Sequence, residues 1–375
     1  MKIGIVGAGA MGTGIGQVAA QAGCSVIISD LQESALDKSS KSLKATFDKL
    51  VEKGKITAAD SAALHSRFSF TTDLKKMEGC NLVIEAAVEN LDIKKKIFAF
   101  LDEHCGSDCV LASNTSSLSI TALAAACTKP ERVMGVHFFN PAPLMPLVEI
   151  IPALQSDIHL VENTKKTIAS WGKVPVIAKD TPGFIVNRLA RPFYGEALRI
   201  FEEGIADMAT IDEAMREGGF KMGPFELMDL IGNDVNYAVT ESVFTAFYFD
   251  PRYKPSLTQK KMVEAGWYGR KTGRGYYNYS EGAVKPVPTN DAELKKSIFE
   301  RILVMLINEA YEALYLNIAT KEDLDLAMTK GVNYPKGLLT WAEELGENKC
   351  EALLDSLYEH YKEDRYRCSP GLRRV

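Results

Sequence analysis

The chain opens on a short apolar run, Lys2–Val6 (KIGIV), followed by a glycine-rich turn, a helix-compatible stretch to Gly23 and a second apolar run, Ser25–Ser29 (SVIIS). Further β-type runs lie at Asn81–Ala86, Cys109–Ala112, Arg132–Phe138, Leu147–Ile151 and Val174–Ala178, mostly separated by helical segments. Short apolar runs alternating with helices predict an open, largely parallel α/β sheet. After Asp30 the pattern turns helical to about Leu50. A second helix then starts at Thr57-Ala-Ala-Asp60, a capping-box-like opening. From Asp180-Thr-Pro-Gly183 onward the strand signals stop. Phe184–Glu203 reads as one long helix, and most of the remainder keeps helical periodicity.

The helical half repeats itself. At a constant offset of 113 residues, Glu196-Ala197 matches Glu309-Ala310, Asp207 meets Thr320, and Asp212/Ala214-Met215 matches Asp325/Ala327-Met328. Near the ends Arg252-Tyr253 matches Arg365-Tyr366 and Ser256 matches Ser369. One register held over that length predicts two copies of a single helical unit, divided by the Pro/Gly-rich stretch Ser280–Asn290. A lone copy would expose an apolar face that two copies can bury against each other. The expected division is residues 1–183, 184–280 and 291–375.

Composition narrows the picture. At 375 residues and 46% hydrophobic positions the chain can bury large cores. No apolar run reaches the ~18–20 residues of a membrane helix, and the N-terminus lacks the features of a signal peptide. A net charge of -5 argues against broad nucleic-acid binding. The seven cysteines are odd in number, scattered and without C-x-x-C, which disfavours a disulfide framework or a zinc site. His104-Cys105 with Cys109 lacks a second ligand pair at zinc spacing, so no metal is expected. These features predict a reduced, soluble, cytoplasmic protein.

Gly7-Ala8-Gly9-Ala10-Met11-Gly12 is G-x-G-x-x-G between a strand and a helix. Gly7 permits the turn, Gly9 lets backbone approach a pyrophosphate, and Gly12 lets helix and strand pack closely. The helix N-terminus supplies free N–H groups and partial positive charge. Asp30, at the end of the second strand, can accept ribose hydroxyls and repels a 2′-phosphate, so NAD is favoured over NADP. FAD uses the same fingerprint, but the rest of the chain points elsewhere. A plain glycine turn at a sheet edge would need neither the following helix nor the acid.

Candidate chemistry concentrates in GVHFFNPAPLMPLVEI, Gly135–Ile150. Two apolar runs carry His137 and Glu149, and Pro141, Pro143 and Pro146 stiffen the connector. If the runs pair as antiparallel neighbours, the two side chains meet. A carboxylate behind an imidazole selects its tautomer, orients it and stabilises the imidazolium, the make-up of a general base for removing an alcohol proton while hydride goes to NAD. Ser116 follows a strand, and Asn187 lies about one turn into the long helix; either can hold the same oxygen by a neutral hydrogen bond. The competing reading is a buried His–Glu pair that only satisfies itself. Lys38, Lys41, Lys44, Lys49, Lys53 and Lys55 face only Asp48 and Glu52 over the first helical stretch. This is either a solvated face or a cationic arm for an anionic ligand tail.

GAGAMGTGIG, SNTSSL, GVHFFNPAPLMPLVEI, KDTPGFIVNRL, MGPFELMDLIG and GRKTGRGYYNY together resemble the L-3-hydroxyacyl-CoA dehydrogenases from residue 1 to about 280. The second helical copy resembles the duplicated C-terminal unit of longer bacterial members. The resemblance implies a Rossmann-type N-terminal domain followed by two repeated all-α domains, with a coenzyme A-binding helical arm at about 31–66. It implies that His137 is the base, Glu149 its partner, and Ser116 and Asn187 the substrate-orienting groups. Glu89, Lys94, Ser116, Asn140 and Lys271 match NAD-contacting positions, as do Gly7–Gly12 and Asp30. Thr46, Lys53 and Ser116 match positions toward the acyl-CoA substrate. The implied reaction is (S)-3-hydroxyacyl-CoA + NAD⁺ to 3-oxoacyl-CoA + NADH. At the 113-residue offset Asn187 becomes Glu300 and GRKTGRG has no counterpart, so the second copy is expected to keep the scaffold without the chemistry. It would pack on the first as a partner subunit does in shorter relatives; a homodimer is the other arrangement.

Two rivals are set aside by residues. A 6-phosphogluconate-type β-hydroxyacid dehydrogenase needs a lysine on the long helix, which offers Asn187, Arg188 and Arg191. A non-catalytic NAD-binding protein of the same fold would be free to lose Ser116, His137, Glu149 or Asn187, and all four are present. Acyl-chain length and polarity, pathway and any hydratase or thiolase partner stay open.

Overall fold

The computed structural model describes residues 1–374; Val375, the last residue of the predicted second copy, lies outside the described residues. The chain divides into two compact units after Thr181. Among the described residues no helix is long and apolar enough to cross a membrane.

The first unit runs β1 (Lys2–Val6), α1 (Ala10–Gln21), β2 (Ser25–Ser29), α2 (Glu33–Glu52), α3 (Ala58–His65), β3 (Phe68–Thr71), β4 (Leu82–Glu85), α4 (Leu91–His104), β5 (Val110–Ser113), α5 (Ile120–Ala124), β6 (Val133–Phe138), β7 (Leu147–Pro152), α6 (Ile158–Ser170) and β8 (Val174–Ile177). The eight strands lie in the order β3-β2-β1-β4-β5-β6-β7-β8. Only β6–β7 is antiparallel. The chain leaves β1 toward β3 and returns to β4 on the other side of β1. That reversal opens a crevice at the carboxyl ends of β1 and β4, the usual ligand edge of such sheets. Ile3, Ile5, Ile28, Val83 and Ile84 are sealed because helices cover both faces. α2 packs Leu36, Leu43 and Phe47 into this core, so the predicted arm is fixed on the sheet by its apolar face. Thr57 and Asp60 form the expected capping box on α3.

The second unit is all-helical: α7 (Val186–Leu189), α8 (Arg191–Glu202), α9 (Met208–Glu217), α10 (Pro224–Ile231), α11 (Asn233–Ala246), α12 (Leu257–Glu264), α13 (Ala292–Tyr315), α14 (Lys321–Gly331), α15 (Leu338–Leu345) and α16 (Glu347–Tyr361). The single helix expected over 184–203 is broken. Pro192 has no N–H to donate to the Arg188 carbonyl, so α7 ends at Leu189 and α8 starts afresh. Asn187 therefore sits in a four-residue helix rather than inside a long one. The edge strand β3 is not among the strands that the apolar runs predict.

α8–α11 correspond in order to α13–α16. Asp212 accepts hydrogen bonds from the Phe225 and Glu226 amides at the start of α10, and Asp325 does the same for Leu339 and Thr340 at α15. Between the copies the contacts are reciprocal. Glu309 accepts from Arg188 Nε and Tyr253 Oη, both at 2.6 Å. Glu196 accepts from Arg301 Nε at 2.7 Å and Tyr366 Oη at 2.6 Å. Arg188, Glu196 and Tyr253 are the 113-residue counterparts of Arg301, Glu309 and Tyr366, so the two clusters are one arrangement used twice, as across a two-fold axis.

Candidate active site

The glycine turn follows directly from sterics. Gly7 has φ +109°, and a Cβ there would stand 2.6 Å from the Ala86 carbonyl oxygen. A Cβ on Gly12 would lie 1.9 Å from the Gly7 carbonyl oxygen. At Gly9 an added Cβ meets nothing within 4 Å, so this glycine borders open space. Gly9 is the N-cap of α1; no side chain caps this helix and its first turn is free of acids. Free amides beside open space fit a pyrophosphate.

Asp30 closes the same edge. Its Oδ2 accepts from the Ala8 amide at 2.9 Å and its Oδ1 from the Gln32 amide at 3.0 Å. Each oxygen keeps a second acceptor direction for a ribose hydroxyl. Next along the edge, Glu85 ends β4 fully buried, a position sequence reasoning passed over as part of an apolar run. Its Oε1 accepts from Lys94 Nζ and the Ala87 amide, both at 2.6 Å, and its Oε2 from Ser113 Oγ at 2.7 Å. Lys94 is 1% exposed, its ammonium held between Glu85 and Glu89. Burial opposes ionisation of Glu89, but the Thr115 hydroxyl, Lys94 and the Ser117 hydroxyl outweigh it and hold the carboxyl below its ordinary range. Glu89 also accepts from the Ser116 amide at 3.2 Å, tying the half-buried Ser116 loop to the turn after β4.

At the carboxyl end of β6 the register places His137 opposite Glu149 of β7. His137 Nδ1 lies 2.7 Å from Glu149 Oε2, with both residues buried. The expected antiparallel pairing is what brings acid and imidazole together. With Nδ1–H donated to the carboxylate, Nε2 is the nitrogen that takes up a proton. The Phe139 ring stands 4.5 Å from the imidazole, centre to centre, and Asn114 Oδ1 accepts from the Phe138 amide at 2.8 Å, fixing the strand end. Exposed Asn140 follows and opens the proline connector.

The remaining predicted residues lie on other elements. Thr46, on α2, donates its hydroxyl to its own helix at the Ser42 carbonyl, and Lys53 is exposed just past the helix end. α2 and α3 enclose a groove of about 420 Å³ lined by Lys44, Asp48, Val51, Ala62 and His65. Asn187 and Lys271 belong to the helical unit. Lys271 pairs with Asp234 at 2.6 Å, in a loop folded around buried Asp229, which accepts from the Tyr276 and Tyr277 amides. His104, weighed with Cys105 and Cys109 as a metal set, instead stacks on Phe100 and bonds that residue's carbonyl through Nδ1.

A family model described as 3-hydroxyacyl-CoA dehydrogenase, NAD binding domain, matches residues 2–181, and the corresponding C-terminal domain model matches residues 183–279 and 298–375. The 3-hydroxyadipyl-CoA dehydrogenase of Escherichia coli is 38% identical, covering 98% of this chain and 96% of the relative. A probable 3-hydroxybutyryl-CoA dehydrogenase of Deinococcus radiodurans is 43% identical over 74% of this chain and the whole of the relative. The crystal structure of a 3-hydroxybutyryl-CoA dehydrogenase from E. coli K12 superposes with a TM-score of 0.94 at 37% identity, over 100% of this chain and 98% of that one. With its glycine turn, acid-backed imidazole and two helical segments all inside the matched regions, the chain belongs to the 3-hydroxyacyl-CoA dehydrogenases, NAD-dependent oxidoreductases acting on an acyl-CoA alcohol.

Proposed function

We propose that His137 is the general base of this dehydrogenase and that the acyl chain it serves ends in a second carboxylate, as in 3-hydroxyadipyl-CoA. NAD, when bound, supplies the hydride acceptor. His137 Nε2 takes the 3-hydroxyl proton, and Glu149 stabilises the imidazolium that forms. Ser116 and Asn187 orient the substrate oxygen by neutral hydrogen bonds. Gly7, Ala8, Gly9, Ala10, Met11, Gly12 and Asp30 hold the dinucleotide, with Glu89, Lys94, Asn140 and Lys271 completing its contacts. Thr46 and Lys53 meet the coenzyme A, whose phosphates suit the lysine-rich face of α2.

The observation that carries this reading is the 2.7 Å His137–Glu149 contact at the sheet edge that also holds the glycine turn. The dicarboxylic substrate, of the kind formed in aromatic-acid breakdown, is supported by the E. coli relative, which resembles this chain over nearly its full length. We further propose a cytoplasmic enzyme, where its seven free thiols stay reduced, with the second helical copy standing in for a partner subunit.

The test is NADH consumption with acetoacetyl-CoA by the intact enzyme and by His137→Gln. A loss of about 10²–10⁴-fold in kcat is expected. Equal rates in the two would remove His137 from the mechanism.

A further inference from the structure

Among the described residues four arginines are buried: Arg132, Arg188, Arg191 and Arg365. Arg132 pairs with Asp102 and Arg188 with Glu309. Arg191, 7% exposed, has no carboxylate in ion-pair range among the described residues. Its Nε donates to the Asn187 carbonyl at 2.9 Å and its Nη1 to the Thr240 hydroxyl at 3.1 Å, while the guanidinium lies over the Tyr194 ring. Burial lowers its pKa, partly opposed by the phenols of Tyr194 and Tyr334, with no carboxylate to restore it. The Nη2 edge makes no hydrogen bond among the described residues. The Tyr334 phenol, also near this guanidinium, is buried without a hydrogen-bond partner among the described residues. A buried cation left in this state is costly unless an anion joins it.

Arg365 also lacks a carboxylate partner among the described residues, but Arg191 stands four residues after Asn187, at the start of α8, with its Nε bonded back to the Asn187 carbonyl. The second copy shows what this face looks like without a site. There the counterparts are Glu300 and Val304, and both line an apolar cavity of about 230 Å³. Glu300 is neutralised by Lys349 at 2.9 Å. The helix face is concave in the copy without chemistry, and the cation is present only where Asn187 is.

Resting on the reading of Asn187 as a substrate-orienting group, we infer that Arg191 receives the distal carboxylate of a dicarboxylic 3-hydroxyacyl-CoA and sets specificity for it. The lengths agree. In a six-carbon diacid chain three bonds separate the hydroxyl-bearing carbon from the distal carboxyl carbon, a span of about 3.8 Å like that between successive Cα atoms. The 2.9 Å contact of Arg191 Nε with the Asn187 carbonyl keeps the guanidinium beside Asn187, so a spacer this short suits the pair. A planar guanidinium edge meets a carboxylate with two parallel N–H···O bonds. A chain ending in a methyl group would leave the cation buried and unpaired, which is how a polar site rejects an apolar analogue.

The experiment compares kcat/KM for 3-hydroxyadipyl-CoA and 3-hydroxyhexanoyl-CoA, equal in length and differing in the terminal carboxylate. The intact enzyme should favour the diacid by about 100-fold or more. Arg191→Met should bring the ratio near one, and Arg191→Lys, which keeps the charge and loses the fork, should cut it by at least about five-fold. Thermal melts of both variants establish that they are folded. A strong diacid preference that persists unchanged in either variant would overturn the role of Arg191 while leaving the dicarboxylic reading standing. No preference in the intact enzyme would overturn the dicarboxylic reading itself, and the inference with it.

Discussion

Replacing Glu309 with glutamine should destabilise the helical unit far more than replacing Glu196, although the two glutamates are counterparts in reciprocal clusters. Among the described residues Glu309 is the only carboxylate in ion-pair range of Arg188, which is 1% exposed, and it also accepts from Tyr253. Burial works against the Arg188 charge, and the Glu309 carboxylate more than restores it, so the guanidinium pKa ends above its ordinary value. Arg252 also leans on Glu309, at 3.8 Å. Removing one partner of such a pair costs about 3–5 kcal/mol, because the remaining ion is left buried and uncompensated. Arg301 is placed differently. When Glu196 is neutralised, Arg301 keeps Glu203 at 3.0 Å and the Tyr361 hydroxyl at 2.8 Å. The cost there is that of hydrogen bonds to a charged group, about 1.5–3 kcal/mol. Urea unfolding followed by fluorescence of Trp267 and Trp341, both in the helical unit, measures the two. E309Q should lie below E196Q by roughly 2 kcal/mol. Equal losses, or a larger one for E196Q, would refute the argument that backing carboxylates decide the cost. Arg188→Met with Glu309→Leu and Tyr253→Phe should recover most of the loss, since an apolar cluster escapes the desolvation penalty.

Asp30→Asn keeps an acceptor for the Ala8 amide and removes the charge, so discrimination of NAD over NADP in kcat/KM should fall by about tenfold or more; an unchanged ratio would mean that Asp30 does not face the ribose. Burial pushes the Asp212 carboxyl up to about 7 against the hydrogen bonds from Tyr277 and the α10 amides. Because the folded state then holds a proton that the unfolded chain has released, stability should fall as pH rises from about 4 to about 7. NMR titration of the carboxyl carbon checks this; a midpoint below about 4 would exclude it. Deleting 291–375 removes α13, whose Ile302, Leu303, Leu306, Ile307 and Ala310 are buried. The truncated chain should dimerise through Arg188–Glu196 pairs or aggregate; by light scattering, a soluble, monomeric and fully active product would count against the second copy as a stand-in subunit.

The features legible in the sequence are those whose cause is local or periodic. The glycines, the two apolar runs that pair His137 with Glu149, and the Thr57–Asp60 capping box all state their own geometry. Strand ends differ by a residue or so from the apolar runs, because pairing partners and not hydrophobicity decide where a strand stops: the run Cys109–Ala112 forms the strand Val110–Ser113. What stayed hidden depends on distant partners. Glu85 looks like an ordinary end of an apolar run until Lys94 and Ser113 close on it. Asp180 looks like a loop acid until it accepts from the Ile120 and Thr121 amides, 60 and 59 residues away. β3 is a four-residue, partly exposed edge strand with too few apolar positions to announce itself. The break before Arg191 was readable in principle, since Pro192 carries its own reason.

The residues that agree between the two helical copies are explained by where their partners lie. Asp207 and Thr320 cap α9 and α14, and Asp212 and Asp325 hold the amides of α10 and α15, so each maintains the shape of its own copy. Glu196 and Glu309, with Tyr253 and Tyr366, bond across to the other copy, so neither copy can change one without exposing a buried charge in its neighbour. Ala197 and Ala310, both fully buried, allow α8 and α13 to approach closely. Asn187 and Arg191 belong to neither set: among the described residues no carboxylate of either copy pairs with Arg191, and their counterparts are Glu300 and Val304. A position that the scaffold constrains in one copy should be constrained in both. Arg191, whose counterpart Val304 is apolar and whose charge no carboxylate balances among the described residues, is therefore a position that the shared scaffold does not explain.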